Sequence, residues 1–353
     1  MYKEFSIRNF RGFKVLHIHD FGLVNLIAGR NDVGKTAVLE AMFLHSGPQN
    51  PSLPTTIENL RGRYRFALNP KAIWGWLFPG RDTDETIELA GTGDCGGMHT
   101  LQVRLSRQTP SVTLPFPDTE VGGSAADAPL IRDLELEYSG PEGDSHVSRA
   151  YVRDGKLKAD QPGPAPGYPC TYLTSRSRVD SETAERYTRV NDAGRIDVVV
   201  DTARHLDDRV RRVLLGYEND QPVIKCDIGL AEAVPVQLIG EGINRLIQIS
   251  LAVADAENGV VLIDEFENGL HYASLPDIWR SLGAVSRQEN VQIVATTHSL
   301  ECIRAAFSAF QESNENDLAV YRLDRIKGET HMARYDLSEM AVLLEMDMEM
   351  RGH

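Results

Sequence analysis

The octapeptide GRNDVGKT, Gly29 to Thr36, restricts this chain more than any other stretch. The apolar run FGLVNLIAG leads into it, and KTAVLEAMFLH leaves it with apolar residues at 38, 39, 42 and 43. The short run predicts a strand and the spacing after it a helix. Strand, glycine-rich turn and helix in that order form a phosphate cradle. Glycines let successive main-chain N–H groups curl round phosphate oxygens, and the helix start adds partial positive charge. Arg30, Asn31, Asp32, Gly34 and Ala37 are then expected along the phosphates. Lys35 is expected at the β and γ phosphates, and the Thr36 hydroxyl at Mg2+.

Two later strands complete the expected chemistry. VVLIDEFE, residues 260–267, is apolar until Asp264 and Glu265. A strand buried on both faces carries its polar groups at its C-terminal edge. Asp264 is expected in the Mg2+ shell, and Glu265 as the base that orients and deprotonates the attacking water. VQIVATTHS ends the next apolar strand at His298, the expected sensor of the γ-phosphate. The implied ligands are ATP and Mg2+.

QLIGEGINRLIQ raises a separate question. Gly240, Glu241 and Gly242 open a helix whose first N–H groups have no partners within it, and such a start binds anions. The chain's own phosphates already belong to Gly29–Thr36. A second anion-binding helix start therefore suggests a nucleotide presented by another copy, two protomers enclosing two ATP molecules across a two-fold axis. An ordinary helix start after a hairpin explains the same residues equally well.

Net charge is −14, which argues against indiscriminate coating of nucleic acid while leaving room for a basic groove. Arginine clusters at RGRYR (61–65), SRSR (175–178) and RVRR (209–212) read as solvated faces. His17 and His19 read as the solvated face of a strand. The four cysteines lack a paired spacing, so neither a disulfide framework nor a zinc site is expected. The charged N-terminus and the lack of long apolar runs lead to an expected cytoplasmic protein without a membrane partner.

Residues 3–8 and 13–19 alternate like a hairpin. From 49 to 169, Pro- and Gly-rich loops separate alternating runs, as in an antiparallel β-rich insert. Residues 196–217 show apolar spacing for one helical face, and 221–240 read as a hairpin. The expected class is α/β, a P-loop nucleotide-binding core with a mixed sheet built from 1–48 and 170–353, interrupted by that insert.

Together these residues resemble the ABC-type ATPases, in the soluble, DNA-associated branch of the SMC, RecF-like and OLD-family proteins. IRNFRGFK (7–14) looks like that branch's opening strand-turn-strand. GRNDVGKT, GEGINRL, LIDEFENGLH and TTHS look like its Walker A, signature, Walker B with D-loop, and switch-histidine segments. The resemblance covers about 7–48 and 170–300. It implies Arg11 near the adenine, Gly240 and Gly242 on the partner's nucleotide, and Asn268 at the dimer seam. The signature departs from the transporter LSGGQ, and Glu241 puts a carboxylate near the partner's γ-phosphate. The 55 residues after His298 are too few for the TOPRIM nuclease of OLD proteins. The implied protein is an ATP-hydrolysing switch, a homodimer or higher oligomer, that controls a separate effector (nuclease or toxin) or a DNA transaction in phage defence or repair. A nucleotide-stabilised, non-catalytic scaffold is the alternative.

Overall fold

In the computed structural model, the residues described are 1–63, 70–94, 96–106, 133–153, 156–163, 169–175, 181–312 and 317–345. The hairpin β1 (Tyr2–Phe10) and β2 (Phe13–Ile18) opens the chain, and β3 (Val24–Ala28) leads through the glycine turn into α1 (Lys35–Ser46). Short helices α2 (Leu53–Leu60) and α3 (Pro70–Trp74) follow. Then come β4 (Ile87–Gly93), β5 (Met98–Leu105), β6 (Leu134–Ser139), β7 (Ser145–Arg153) and β8 (Lys156–Ala159). The expected β texture of 49–169 is present in these strands. Their antiparallel sheet is continuous with the opening hairpin, because β4 pairs with β1, giving the order β2-β1-β4-β5-β6-β7-β8. The stretch 107–132, one of the Pro/Gly-rich loops, lies outside the described residues.

The second sheet forms the core. Its strands are β9 (Cys170–Leu173), β13 (Val260–Ile263), β14 (Gln292–Thr297), β15 (Leu318–Ile326) and β16 (Glu329–Tyr335), with β3 among them. The order is β16-β15-β3-β14-β13-β9, all parallel except β16. β3, β13 and β14 are buried along their whole length, which explains their uninterrupted apolar sequence. The phosphate-cradle strand β3 and the acidic strand β13 flank β14, so Asp264 and Thr36 meet across the end of β14. This is an α/β P-loop nucleotide-binding fold with an ABC-ATPase-like mixed-sheet core.

α1 is buried on nearly every side because it lies between the two sheets, and its residues share one core with both. Against the other face of the core sheet pack α7 (Glu241–Asp255), α8 (Leu275–Gln288) and α9 (Leu300–Glu312). A third cluster joins α4 (Ser181–Asp192), α5 (Ile196–Arg204) and α7 to a small sheet.

That small sheet corrects the helical expectation for 196–217. The helix stops at Arg204, and Arg212–Glu218 is a strand, β10. It pairs residue for residue with β11 (Gln221–Asp227), so the hairpin begins earlier than expected, and β12 (Val234–Pro235) adds a short third strand. α6 (Val236–Ile239) then turns the chain into α7, and α10 (Leu337–Glu345) closes the described residues.

Candidate functional site

The turn before α1 has the conformation that its glycines predict. Asp32 and Gly34 have φ of 65° and 109°, and a Cβ at Gly34 would lie 2.6 Å from the Phe13 ring. No side chain caps the start of α1, leaving its first N–H groups for a ligand. Lys35 is folded back on this loop, donating to the main-chain oxygens of Gly29 at 2.7 Å and Arg30 at 2.9 Å. Burial lowers its pKa, opposed by the charges of Glu267, Asp264, Glu265 and Asp32.

Asp264 is buried at the end of β13. Its carboxylate accepts from the Thr36 hydroxyl, 3.1 Å from each oxygen, and from the Thr296 hydroxyl at 2.7 Å. The Thr296 oxygen also accepts from the Glu265 N–H at 2.9 Å. One threonine on β14 thus fixes both acidic residues. Glu265 adopts φ 50°, the left-handed region, so its side chain leaves the strand in a direction different from that of Asp264. A hydroxyl and a carboxylate beside a phosphate cradle are hard oxygen donors, a set that fits Mg2+.

A cavity of about 530 Å³ brings together Arg11, Asn31, Asp32, Gly34, Lys35, Thr36, Ala37, Asp264, Glu265 and His298. Arg30 is absent from its walls and contributes a main-chain oxygen to Lys35 instead. Phe13, Arg61, Arg325 and Thr330 also line it. Arg11 reaches Glu40 at 3.0 Å and Glu58 at 2.6 Å, two fully buried carboxylates on α1 and α2. Arg61 shares Glu40, and Arg63 donates to Glu58. In the first cluster, RGRYR, Arg61 and Arg63 are partly solvated and also neutralise buried acids; Tyr64 and Arg65 lie outside the described residues. Burial alone would lower the Arg61 pKa, but the hydrogen bond and charge of Glu40 outweigh it and raise it.

Gly240, Glu241, Gly242 and Asn268 lie outside this cavity. Glu241 is exposed, no side chain caps α7, and Gly240 has open space around it. Gly242 packs against the chain's own loop, where a Cβ would lie 2.4 Å from the Gly269 oxygen. Asn268 donates to the Ser175 oxygen at 3.3 Å. On the same helix the buried Arg245 donates to the main-chain oxygens of Thr174 at 2.7 Å and Asp264 at 2.8 Å. It ties α7 to the acidic strand, and burial lowers its pKa. Arg245 and Thr296 fall within the GEGINRL and TTHS segments, but their roles are not legible there, because each acts through main-chain or cross-strand partners.

Residues 169–304 match a family model described as "AAA domain, putative AbiEii toxin, Type IV TA system". The chain is 23% identical over 348 residues to the "ATP/GTP phosphatase" of Helicobacter pylori (strain ATCC 700392 / 26695), covering 89% of this chain and 90% of that protein. Among solved structures, SmcHead bound to the C-winged helix domain of ScpA aligns over 97% of this chain and 99% of that one, with 11% identity and a TM-score of 0.49. The SMC head domain from Thermotoga maritima aligns over 95% and 98%, with 14% identity and a TM-score of 0.43. The family match contains Gly240–Gly242, Asp264, Glu265 and His298. Asp264, Glu265 and His298 thus lie in both the family match and the cavity, whereas Arg11 and Asn31–Ala37 precede the match, and together they support an ATPase-type domain.

Proposed function

We propose that this chain binds ATP with Mg2+ and hydrolyses it as a dimerising switch. The observation that carries the reading is the junction of Thr36, Asp264 and Thr296, with Glu265 and His298 on the walls of the same cavity. Thr36 and Asp264 would hold Mg2+, which when bound neutralises charge on the transferred phosphoryl group. Lys35 exchanges its main-chain oxygens for phosphate oxygens. Glu265 orients a water and takes its proton, and His298 contacts the terminal phosphate. The name of the Helicobacter pylori relative supports a phosphohydrolase.

The uncapped, exposed start of α7 supports a nucleotide shared between two copies, completed by Gly240, Glu241 and Gly242 of the opposing protomer with Asn268 at the seam. Closure and opening of that dimer would control a separate effector, in defence or repair. No helix among the described residues is long and apolar enough to cross a membrane.

Glu265→Gln tests the reading. Loss of a positioned base lowers turnover by about 10²–10⁴-fold. The variant should retain ATP and elute as a dimer with saturating ATP and Mg2+. Wild-type turnover no faster than that of Lys35→Ala would overturn hydrolysis. A monomeric Glu265→Gln with ATP bound would overturn the shared nucleotide.

A further inference from the structure

We infer that Glu267 is a positioning residue for His298, holding one edge of the imidazole so that Nε2 alone meets the nucleotide cavity. This rests on the ATPase reading of the site, but its geometry stands without nucleotide.

Glu267 lies on the loop that follows β13. Its Oε1 accepts from the His298 main-chain N–H at 3.0 Å and lies 3.1 Å from His298 Nδ1. One oxygen thus fixes both the end of β14 and the ring that follows. The side chain is 11% exposed, whereas His298 is 51% exposed and lines the cavity. The loop itself is rigid. Phe266 N–H donates to the Thr296 oxygen at 2.9 Å, and the Phe266 ring is buried and stacked 3.8 Å from Trp279. The Leu270 N–H returns to the Glu267 oxygen at 2.9 Å.

A structural cap alone does not account for a carboxylate here. Capping one N–H needs a single acceptor, which a neutral side chain supplies. Glu267 instead keeps Oε2 buried with no hydrogen-bond partner among the described residues, an arrangement that costs free energy. A carboxylate is acceptor-only, so the nitrogen facing it must carry the proton. A proton on Nδ1 of neutral His298 suits this carboxylate and leaves the lone pair on Nε2. In that state Nε2 accepts from the attacking water; with a second proton it donates to a phosphate oxygen. Glu267 grips the same edge in both states. Its charge is also the largest of those opposing the desolvation of Lys35. One buried carboxylate thus acts on both groups expected at the terminal phosphate.

The test reads the ring directly. In histidine-¹⁵N-labelled protein without nucleotide, with the signal assigned by its loss in His298→Gln, wild-type His298 should show Nδ1–H and unprotonated Nε2. Glu267→Gln presents a donor as well as an acceptor and should shift the ring partway toward Nε2–H; Glu267→Ala should shift it further. In turnover, Glu267→Ala should lower kcat about 10–100-fold with little change in KM for ATP, as loss of a group orienting a functional histidine does. Glu267→Gln, which keeps the cap on the His298 N–H but not the charge, should recover only part of that loss. The Glu267→Ala, His298→Gln pair should be no slower than His298→Gln alone. An Nε2–H wild-type ring, or multiplicative losses in the pair, would overturn the inference. Should Glu267→Ala fail to fold, the wild-type tautomer and the Glu267→Gln kinetics still decide it. A wild-type protein with the Nδ1–H ring and no turnover would sink the ATPase reading and leave the Glu267–His298 contact standing.

Discussion

Thr296 joins the two acidic residues through one hydroxyl, which donates to Asp264 and accepts from the Glu265 N–H. Thr296→Val keeps the shape and removes both contacts. The Glu265 N–H loses its partner, at about 1–3 kcal/mol if left unsatisfied, and Asp264 Oδ1 keeps only the Thr36 hydroxyl. The Asp264 carboxylate is then held by the Thr36 hydroxyl alone. The expected outcome is a kcat reduced about 10–100-fold and a raised Mg2+ requirement, read from turnover across a Mg2+ titration. An unchanged Mg2+ dependence would show that Thr296 does not orient the carboxylate proposed to hold Mg2+. At this scale the sequence showed Lys35, Thr36, Asp264 and Glu265, because a strand, a turn and a helix in series leave few positions for them. Thr296, Arg61 and Glu267 escaped notice because their partners sit on other elements. A threonine in an apolar strand looks the same whether or not it holds a carboxylate.

The start of α7 separates two glycines that look alike in sequence. Gly242 meets the Gly269 oxygen of its own chain, whereas Gly240 has an extended backbone and open space. Gly242→Ala must push α7 away from the 266–270 loop, at about 1–3 kcal/mol for overpacking. Gly240→Ala should change stability by less than about 0.5 kcal/mol. If Gly240 meets a partner's nucleotide, Gly240→Ala should still lower turnover. Thermal unfolding and ATPase rates of the two variants separate these effects: equal destabilisation would contradict the packing, and full activity in Gly240→Ala would remove that glycine from the seam. Long apolar elements such as β13, β14, α7 and α8 were legible because burial dictates their pattern over many residues. The segment 205–218 was not. Val210, Val213 and Leu214 satisfy a helical spacing, but pairing of Arg212–Glu218 with Gln221–Asp227 decides the outcome, and cross-strand pairing leaves no mark on local spacing.

At the level of the whole molecule, the two sheets are joined through α1, and His45 is one of the fastenings. It is fully buried, 2.9 Å from the Tyr2 hydroxyl on β1 and 2.9 Å from the His99 main-chain oxygen on β5. With the proton on Nε2, the ring donates to His99 and accepts from Tyr2, so the neutral form satisfies both nitrogens. Burial pushes its pKa down to about 4, against 6.5 for an exposed histidine, despite the opposing His99 hydrogen bond. Because the folded value is depressed, unfolding takes up a proton. The contribution is present above pH 6.5 and is lost as pH falls through the window from 6.5 to about 4. By pH 5 that loss amounts to about 2 kcal/mol. His45→Gln retains a donor and an acceptor but does not titrate in this range. Urea unfolding of both proteins at pH 7.5 and pH 5 cancels the carboxylates they share. The wild type should lose about 2 kcal/mol more than the variant between the two pH values; equal losses would mean that acid reaches the fold by another route and that neutral His45 does not fasten α1 to the antiparallel sheet.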